Sequence, residues 1–372
     1  MSIEIKEVIN ENDIKKFVYF PYELYKRNPH WVPPLIRDEV NSLQFDKNPA
    51  FEYCKAKYWL AIENSKVVGR IGAIINTKYN EKVQDKLGRF TRIEFIDNEI
   101  VVKKLLETAE NWLAQQGMKK VHGPLGFSNL DHQGILIEGF EYLPSIASEY
   151  HFPYYQKHIE NCGYQKEIDW LEFRLTIREI PEKALRLNDV IKERYKLKVI
   201  HFKTNSEMIH YGPKVFDLIN RSYDDIFGMV ELSPKMQDFY IQKYMKVLNP
   251  KFVKVIENDK NHVIGFIVGM PSLSIAFQKA GGRLFPFGWW HIMKALKKNT
   301  VIDLLLTGVD PEYQRQGIPA VLITELQKAA LQEGFKYVET TAIVETNQKA
   351  IQTWKNYEHI QHKRKRCYIK HL

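Results

Sequence analysis

Apolar residues recur at helical spacing in two widely separated stretches of this chain. Val102, Leu105, Leu106, Ala109, Trp112 and Leu113 form one stripe, and Leu322, Leu326, Ala329 and Ala330 form another. Each stripe runs out at a glycine, Gly117 or Gly334, that suits a helix C-terminus, and a strand pattern starts within a few residues. A hairpin pattern lies ahead of each stripe. Residues 57–64 and 67–75, the latter around Gly69, flank a tight polar turn; residues 251–258 and 263–268, around Gly265, repeat this with a slightly longer turn. The matching order predicts one α/β unit, with a mixed sheet of the α+β kind, used twice in tandem. The expected boundaries are 1–177 for the first copy, 178–196 for a connector containing Pro181, and 197–372 for the second.

Composition agrees with two domains. A length of 372 residues exceeds one ordinary domain, and 44% hydrophobic with 13% aromatic residues is enough for real cores. Cys54, Cys162 and Cys367 lie far apart, with no paired spacing for a disulfide framework or a zinc site. Glu4, Glu7, Glu11 and Asp13 stand where a signal peptide would need an apolar run, and no apolar stretch approaches membrane-spanning length. The expectation is a reduced, cytoplasmic protein.

The net charge of +9 admits nucleic acid, an anionic membrane surface or a multiply anionic small molecule as partner. Its densest run, Lys363, Arg364, Lys365 and Arg366, leads into a final strand pattern, so alternate charges are expected to point to solvent. No zinc-finger, helix-turn-helix or RNA-binding aromatic signature accompanies the run, which makes nucleic acid the weakest of the three. The insert at 272–299 carries Phe285, Pro286 and Phe287, then Trp289, Ile292, Met293 and Leu296 on one helical face, opposed by His291, Lys294 and Lys298. Such a stripe is expected to cover the sheet or the partner half. The alternatives are a lid over an acyl chain or peripheral membrane contact through 285–298.

One stretch carries distinctive chemistry. A strand through Leu304, Leu305 and Leu306 reaches a turn at Asp310, Pro311, Glu312 and Tyr313; a short loop then opens directly into the second apolar helix. Strand, glycine-bearing loop and helix in that order present backbone N–H groups and a positive dipole end to one spot, as a pyrophosphate requires. These residues resemble the acyl-CoA signature of the GNAT N-acetyltransferase superfamily. Val309, Pro311 and Tyr313 fall on the approach, Gln314 takes the first motif position and Gly317 the central glycine. Pro319 departs from the pattern, which has Gly or Ala there, and it has no N–H to give.

The order of elements resembles the GNAT fold over nearly the whole chain, which implies two GNAT-like folds in tandem. The second copy would bind acetyl-CoA or a longer acyl-CoA through Gln314, Arg315, Gln316, Gly317, Ile318, Pro319 and Ala320. The first copy has no glycine at the matching place and no basic residue before Lys103, while Asp97 and Glu99 occupy the dipole end. It is expected to be degenerate for CoA and to lend substrate contacts.

The resemblance further implies a pantetheine arm between strand 301–309, at Leu306, Thr307, Gly308 and Val309, and strand 337–344. Alternation along the first of these strands puts Asp303, Leu305, Thr307 and Val309 on one face. A small-molecule or peptide amine would attack the thioester with help from a base, and Asp303 and Glu339 are the candidates. The late family motif is matched by Asn347 and Ala350. Trp354 stands where a proton-donating tyrosine is usual, and an indole cannot serve as an acid. Tyr357, three residues on and expected on the same helix face, is the candidate replacement. The implied function is an acyl-CoA-dependent N-acyltransferase, with a non-catalytic acyl-CoA-binding or interaction protein as the alternative. No metal is expected, since His359 and His362, the nearest pair, have no carboxylate cluster beside them. The loop of Asn129, Leu130, Asp131 and His132 is polar enough to touch substrate, and an Asx-type turn explains it equally.

Overall fold

The computed structural model describes residues 3–245, 247–354 and 356–372. They group into two compact units. One comprises Met1–Leu171, Ser274–His291 and His362–Leu372, and the other Glu172–Leu273 and Ile292–Gln361. Two segments that the sequence repeat places in the second copy are therefore packed with the first.

From the N-terminus the elements are β1 (Glu4–Glu7), α1 (Glu11–Leu24), α2 (Ile36–Leu43), β2 (Cys54–Glu63), β3 (Lys66–Asn76), α3 (Thr77–Val83), β4 (Leu87–Phe95), α4 (Glu99–Gln115), β5 (Lys120–Gly123), β6 (Ile135–Glu138), α5 (Tyr154–Asn161) and β7 (Gln165–Thr176). Then come α6 (Glu182–Arg194), β8 (Lys198–His201), α7 (Asn205–Ser222), α8 (Pro234–Tyr240), β9 (Val253–Glu257) and β10 (Val263–Pro271). The chain continues through α9 (Ser274–Ala280), α10 (Gly288–Lys297), β11 (Val301–Val309), α11 (Ile318–Gln332), β12 (Tyr337–Thr340), β13 (Ile343–Val344), α12 (Gln348–Trp354) and β14 (His359–His371).

Within the first unit the sheet order is β1-β2-β3-β4-β5-β14; within the second it is β7-β12-β11-β10-β9-β8. In each, one parallel pair stands among antiparallel neighbours: β4 with β5, and β11 with β12. The two amphipathic helices lie where the stripes predict. Val102, Leu105, Leu106, Ala109 and Leu113 on α4 are buried in one core, and Leu322, Leu326 and Ala330 on α11 are buried likewise. Each helix ends as the glycines suggest, with Met118 N–H bonded to the Leu113 carbonyl and Phe335 N–H to that of Ala330, both at 3.0 Å.

Close helix–strand approach explains the repeated strand glycines. A Cβ on Gly69 would sit 2.7 Å from Leu105 of α4, and one on Gly265 would sit 2.9 Å from Ile318 of α11. Neither approach leaves room for a side chain. The two copies share this joint.

The structure refines two expectations about surface. The basic run alternates as expected along β14, with Lys363 and Lys365, each 1% exposed, on its inward face and Arg364 and Arg366 partly exposed on the other. These two arginines are engaged: Arg366 grips both oxygens of Asp169, at 2.8 and 3.1 Å, and Arg364 reaches Asp169 at 3.3 Å and Glu138 at 3.1 Å. The charges are balanced locally rather than displayed. The apolar stripe of α10 is likewise not a sheet cover, since Trp289 and Met293 are exposed, as are Phe285 and Phe287 before it. No helix among the described residues is long and apolar enough to cross a membrane.

Candidate active site

The glycine loop of the second unit has the geometry of an anion cradle. Asp310 starts the turn, bonded through its backbone N–H to the Ile264 carbonyl at 2.9 Å and through its carboxylate to Glu312 N–H at 3.0 Å and to Arg221. Tyr313 is held by Asn258 at 2.9 Å. The chain then passes through left-handed backbone at Arg315 (φ 67°) and again at Gly317 (φ 79°), the N-cap of α11. Among the described residues, none accepts a hydrogen bond from the N–H groups of Arg315, Gln316, Gly317 or Ile318. Successive unbonded N–H groups at a helix N-terminus form a nest for phosphate oxygens.

Pro319, at the second position of the helix, costs one donor and leaves those four. Ala320 is not among the free donors, because its N–H already bonds the Gly317 carbonyl at 3.0 Å. Arg315 is exposed, while Gln314 accepts from Lys349 at 2.8 Å. On its other side Gly317 is touched closely: an added Cβ would lie 2.6 Å from Ile191 on α6.

Strands β11 and β12 pair in parallel only from Val301/Tyr337 to Leu304/Thr340. Thr341 then bonds the carbonyls of Leu304 and Leu305, both at 3.1 Å, and the ladder ends. Opposite β10 the register slips, with Val268 facing Leu306 and Gly269 facing Leu304, so Leu305 is a bulge. This bulge corrects the simple alternation: Asp303 does not share a face with Thr307, because the extra residue reverses the sense of the strand between them. Leu306, Thr307, Gly308 and Val309 thus have β10 on one edge and no β12 pairing on the other. Tyr223, just beyond α7, places its hydroxyl on that open edge, donating to the Thr307 carbonyl at 2.9 Å and accepting from Thr307 N–H at 3.2 Å.

Asp303 and Glu339 are register partners on adjacent strands, and both are buried. Arg174 on β7, the register partner of Glu339, bonds one of its oxygens through Nε at 2.7 Å and through Nη2. Glu339 is therefore a neutralised carboxylate. Asn347 caps α12 by accepting from Ala350 N–H at 3.2 Å. Trp354 is buried and its indole nitrogen has no partner among the described residues. Tyr357 lies outside α12 and so is not on its face as expected; the Trp354 and Tyr357 rings still lie 6.3 Å apart, and burial pushes the Tyr357 hydroxyl up.

The first unit lacks the loop. Asn98 caps α4 with its own side chain, accepting from Ile100 N–H at 2.9 Å and Val101 N–H at 3.4 Å, and Asp97 is bonded to His158 at 2.6 Å. It nevertheless holds a small charged cleft, partly open to solvent, lined by Glu39, Arg70, Glu94, His132 and Glu149 with aromatic walls from Tyr22, Trp31 and Phe277. Sequence reasoning reached only His132, through its polar loop. In that loop Asp131 reaches back to accept from Ser128 N–H at 2.9 Å, and His132 lies 2.9 Å from Glu149. Arg70, Glu94 and Glu149 come from separate elements and carry no local signature. Elsewhere in this unit His122, Glu167 and Cys367 bring one donor atom each within 4.8 Å of one another. His122 and Cys367 both already contact Glu167, at 3.0 and 3.3 Å, and burial pushes the thiol well up, which suits a closed hydrogen-bonded cluster.

A model of the acetyltransferase (GNAT) family matches residues 213–357, the stretch that holds the loop, the bulge and the late helix. Protein YghO of Escherichia coli K12 is 31% identical over 92% of this chain and 89% of its own length. The chain belongs to the GNAT acyltransferase superfamily. The bacterial ceramide synthase of Caulobacter vibrioides is 25% identical over 97% of this chain and 95% of its own. Among solved structures, a tandem GNAT protein from the clavulanic acid biosynthesis pathway is similar over 100% of this chain and 98% of its own, with a TM-score of 0.55 at 13% identity. That likeness establishes the tandem GNAT fold.

Proposed function

We propose that this protein is an acyl-CoA-dependent N-acyltransferase. The observation that carries the reading is the run of four unbonded N–H groups from Arg315 to Ile318, set between the splayed strand β11 and helix α11. The diphosphate of acetyl-CoA or a longer acyl-CoA binds this nest. The pantetheine arm follows the unpaired edge of β11 past Thr307. Asp303 is the favoured base, because Arg174 neutralises Glu339, and Tyr357 is the group that protonates the departing sulfur.

The acceptor is proposed to be an amine of lipid character. Similarity to a bacterial ceramide synthase across both chains supports this, as does the exposed segment around α10. Phe285 is 78% exposed and Trp289 50%, with Lys279, Arg283, Lys294, Lys297 and Lys298 exposed around them. Exposed aromatic residues ringed by cations match the acyl boundary and headgroups of an anionic bilayer. Release of free CoA thiol from acyl-CoAs of graded length, with a panel of long-chain and short-chain amines, tests the reading. Amine-dependent thiol release supports it, and none with any pair contradicts it.

One observation favours binding without transfer: Trp354 offers no acid where the family has one. Saturable acyl-CoA binding with no thiol release would identify that case.

A further inference from the structure

The cleft of the first unit contains a buried acid with no ion-pair partner among the described residues. Glu94, on β4, is 4% exposed. One of its oxygens accepts from Tyr25 at 2.6 Å and from Tyr155 at 2.5 Å, and no cation lies within ion-pair distance among the described residues. The other two carboxylates of the cleft are already matched, Glu39 by Arg92 at 3.3 Å and Glu149 by His132 at 2.9 Å. Arg70, the cross-strand neighbour of Glu94, turns away to bond the Phe17 carbonyl at 2.9 Å and lies 4.9 Å above the Phe17 ring. Its Nε is buried without an acceptor. A buried carboxylate with no cation in ion-pair range and a buried Nε with no acceptor line one cleft.

We propose that this cleft binds the head of an amphiphilic primary amine, with Glu94 as its countercharge and Arg70 Nε as donor to an oxygen beside the amine. An ammonium is the charge that Glu94 lacks. The rest of the wall suits the same ligand. Tyr22 and Trp31 meet edge to face at 5.1 Å, Trp31 stacks on Tyr25 at 5.3 Å, and such faces attract cations. Val18, Val32, Ile146 and Phe277 supply apolar lining for the carbons that follow. Phe277 belongs to the segment that bears the exposed aromatics. This segment is clipped over the cleft by Gln278 to the carbonyls of Pro29 (2.7 Å) and Trp31 (3.0 Å), and by Ile36 N–H to the Gly282 carbonyl (2.9 Å). Burial pushes the Glu94 carboxyl up to about 7, as befits an acid awaiting a cation.

The inference does not rest on acyl transfer, and amine binding is measured before any CoA is added. The full chain is titrated calorimetrically with octylamine, 2-aminooctan-1-ol and octan-1-ol below their aggregation concentrations. Saturable binding of both amines is expected, tighter for the amino alcohol, with the uncharged alcohol about tenfold weaker or worse. Glu94→Gln is expected to lose about tenfold or more in amine affinity. Ile146→Trp, which fills the cleft without touching the acid, is expected to lose binding too and decides the matter if Glu94→Gln does not fold. Octanol binding as well as octylamine, or amine affinity unchanged in a folded variant of either kind, overturns the proposal. Acyl-CoA titrated into the same samples keeps a failure here separate from a failure of the transferase reading.

Discussion

The hydroxyl of Tyr223 takes both backbone groups of Thr307, giving a hydrogen bond to the carbonyl at 2.9 Å and receiving one from the N–H at 3.2 Å. It sits on the strand edge that β12 has abandoned, where an extended pantetheine amide would make the same two bonds. Burial pushes the phenol up to about 12, so it remains a neutral donor and acceptor throughout the working range. Acyl-CoA binding by the proposed mode has to displace it. Tyr223→Phe is expected to tighten acyl-CoA several-fold while costing about 1 kcal/mol of stability from the lost hydrogen bonds. Titration calorimetry and thermal melts of the variant check both signs; weaker acyl-CoA binding would show that the phenol helps to hold the ligand.

Two buried carboxylates share a row of the second sheet, and their surroundings separate their roles. One oxygen of Glu339 is occupied by two bonds from the Arg174 guanidinium, which leaves it less open to an incoming amine. Asp303→Asn is therefore expected to lower kcat by roughly 10²-fold or more, the usual worth of a positioned base, and Glu339→Gln by less. Steady-state kinetics on the two variants decide the order, and the reverse ranking would move the base to Glu339.

Glu94 makes stability depend on pH in a definite direction. Its folded value of about 7 lies above the ordinary carboxyl value of 4.5, with burial the main cause, Arg70 opposing and Glu149 assisting. The folded chain thus holds a proton that the unfolded chain releases between those values. Stability is fully present below 4.5, falls as pH rises toward 7, and stays lower above it, by roughly 3 kcal/mol for a shift of this size. Glu94→Gln, which cannot ionise, is expected to flatten that fall. Melting temperatures between pH 4.5 and 8 measure it, and an unchanged slope would show that Glu94 is not the group responsible.

The exposed aromatics around α10 give a prediction about surfaces. The intact chain is expected to sediment with phosphatidylglycerol vesicles and much less with phosphatidylcholine, losing part of the difference at high salt. A Phe285→Ser, Trp289→Ser variant is expected to stay in the supernatant with both. Equal sedimentation of the variant and the parent would remove this segment from membrane contact.

How legible was this in the sequence? The stripes of α4 and α11, their glycine stops and the hairpins around Gly69 and Gly265 are local periodicities, and each is where the pattern puts it. The glycine loop was legible because its residues are contiguous. The bulge at Leu305 was not, since a single extra residue in a strand leaves no trace in an apolar run, and alternation read through it placed Asp303 and Thr307 together. The basic run was legible only in part. Alternation was right, but the inward face of β14 carries Lys363 and Lys365 among buried partners, which only the tertiary structure supplies. Arg70, Glu94, His132 and Glu149 stand on four segments and meet only when the first sheet and its loops close.

The cradle at Gly317 carries the transferase account and is tested most directly by calorimetric titration of acyl-CoAs of increasing length into the parent chain and into Gly317→Asp. The substitution puts a side chain on left-handed backbone, against Ile191, and a negative charge where phosphate would sit. The account predicts saturable binding by the parent and a loss of at least about 10²-fold in a variant that remains folded, equivalent to roughly 3 kcal/mol. No binding by the parent at any chain length, or equal binding by both proteins, would contradict it.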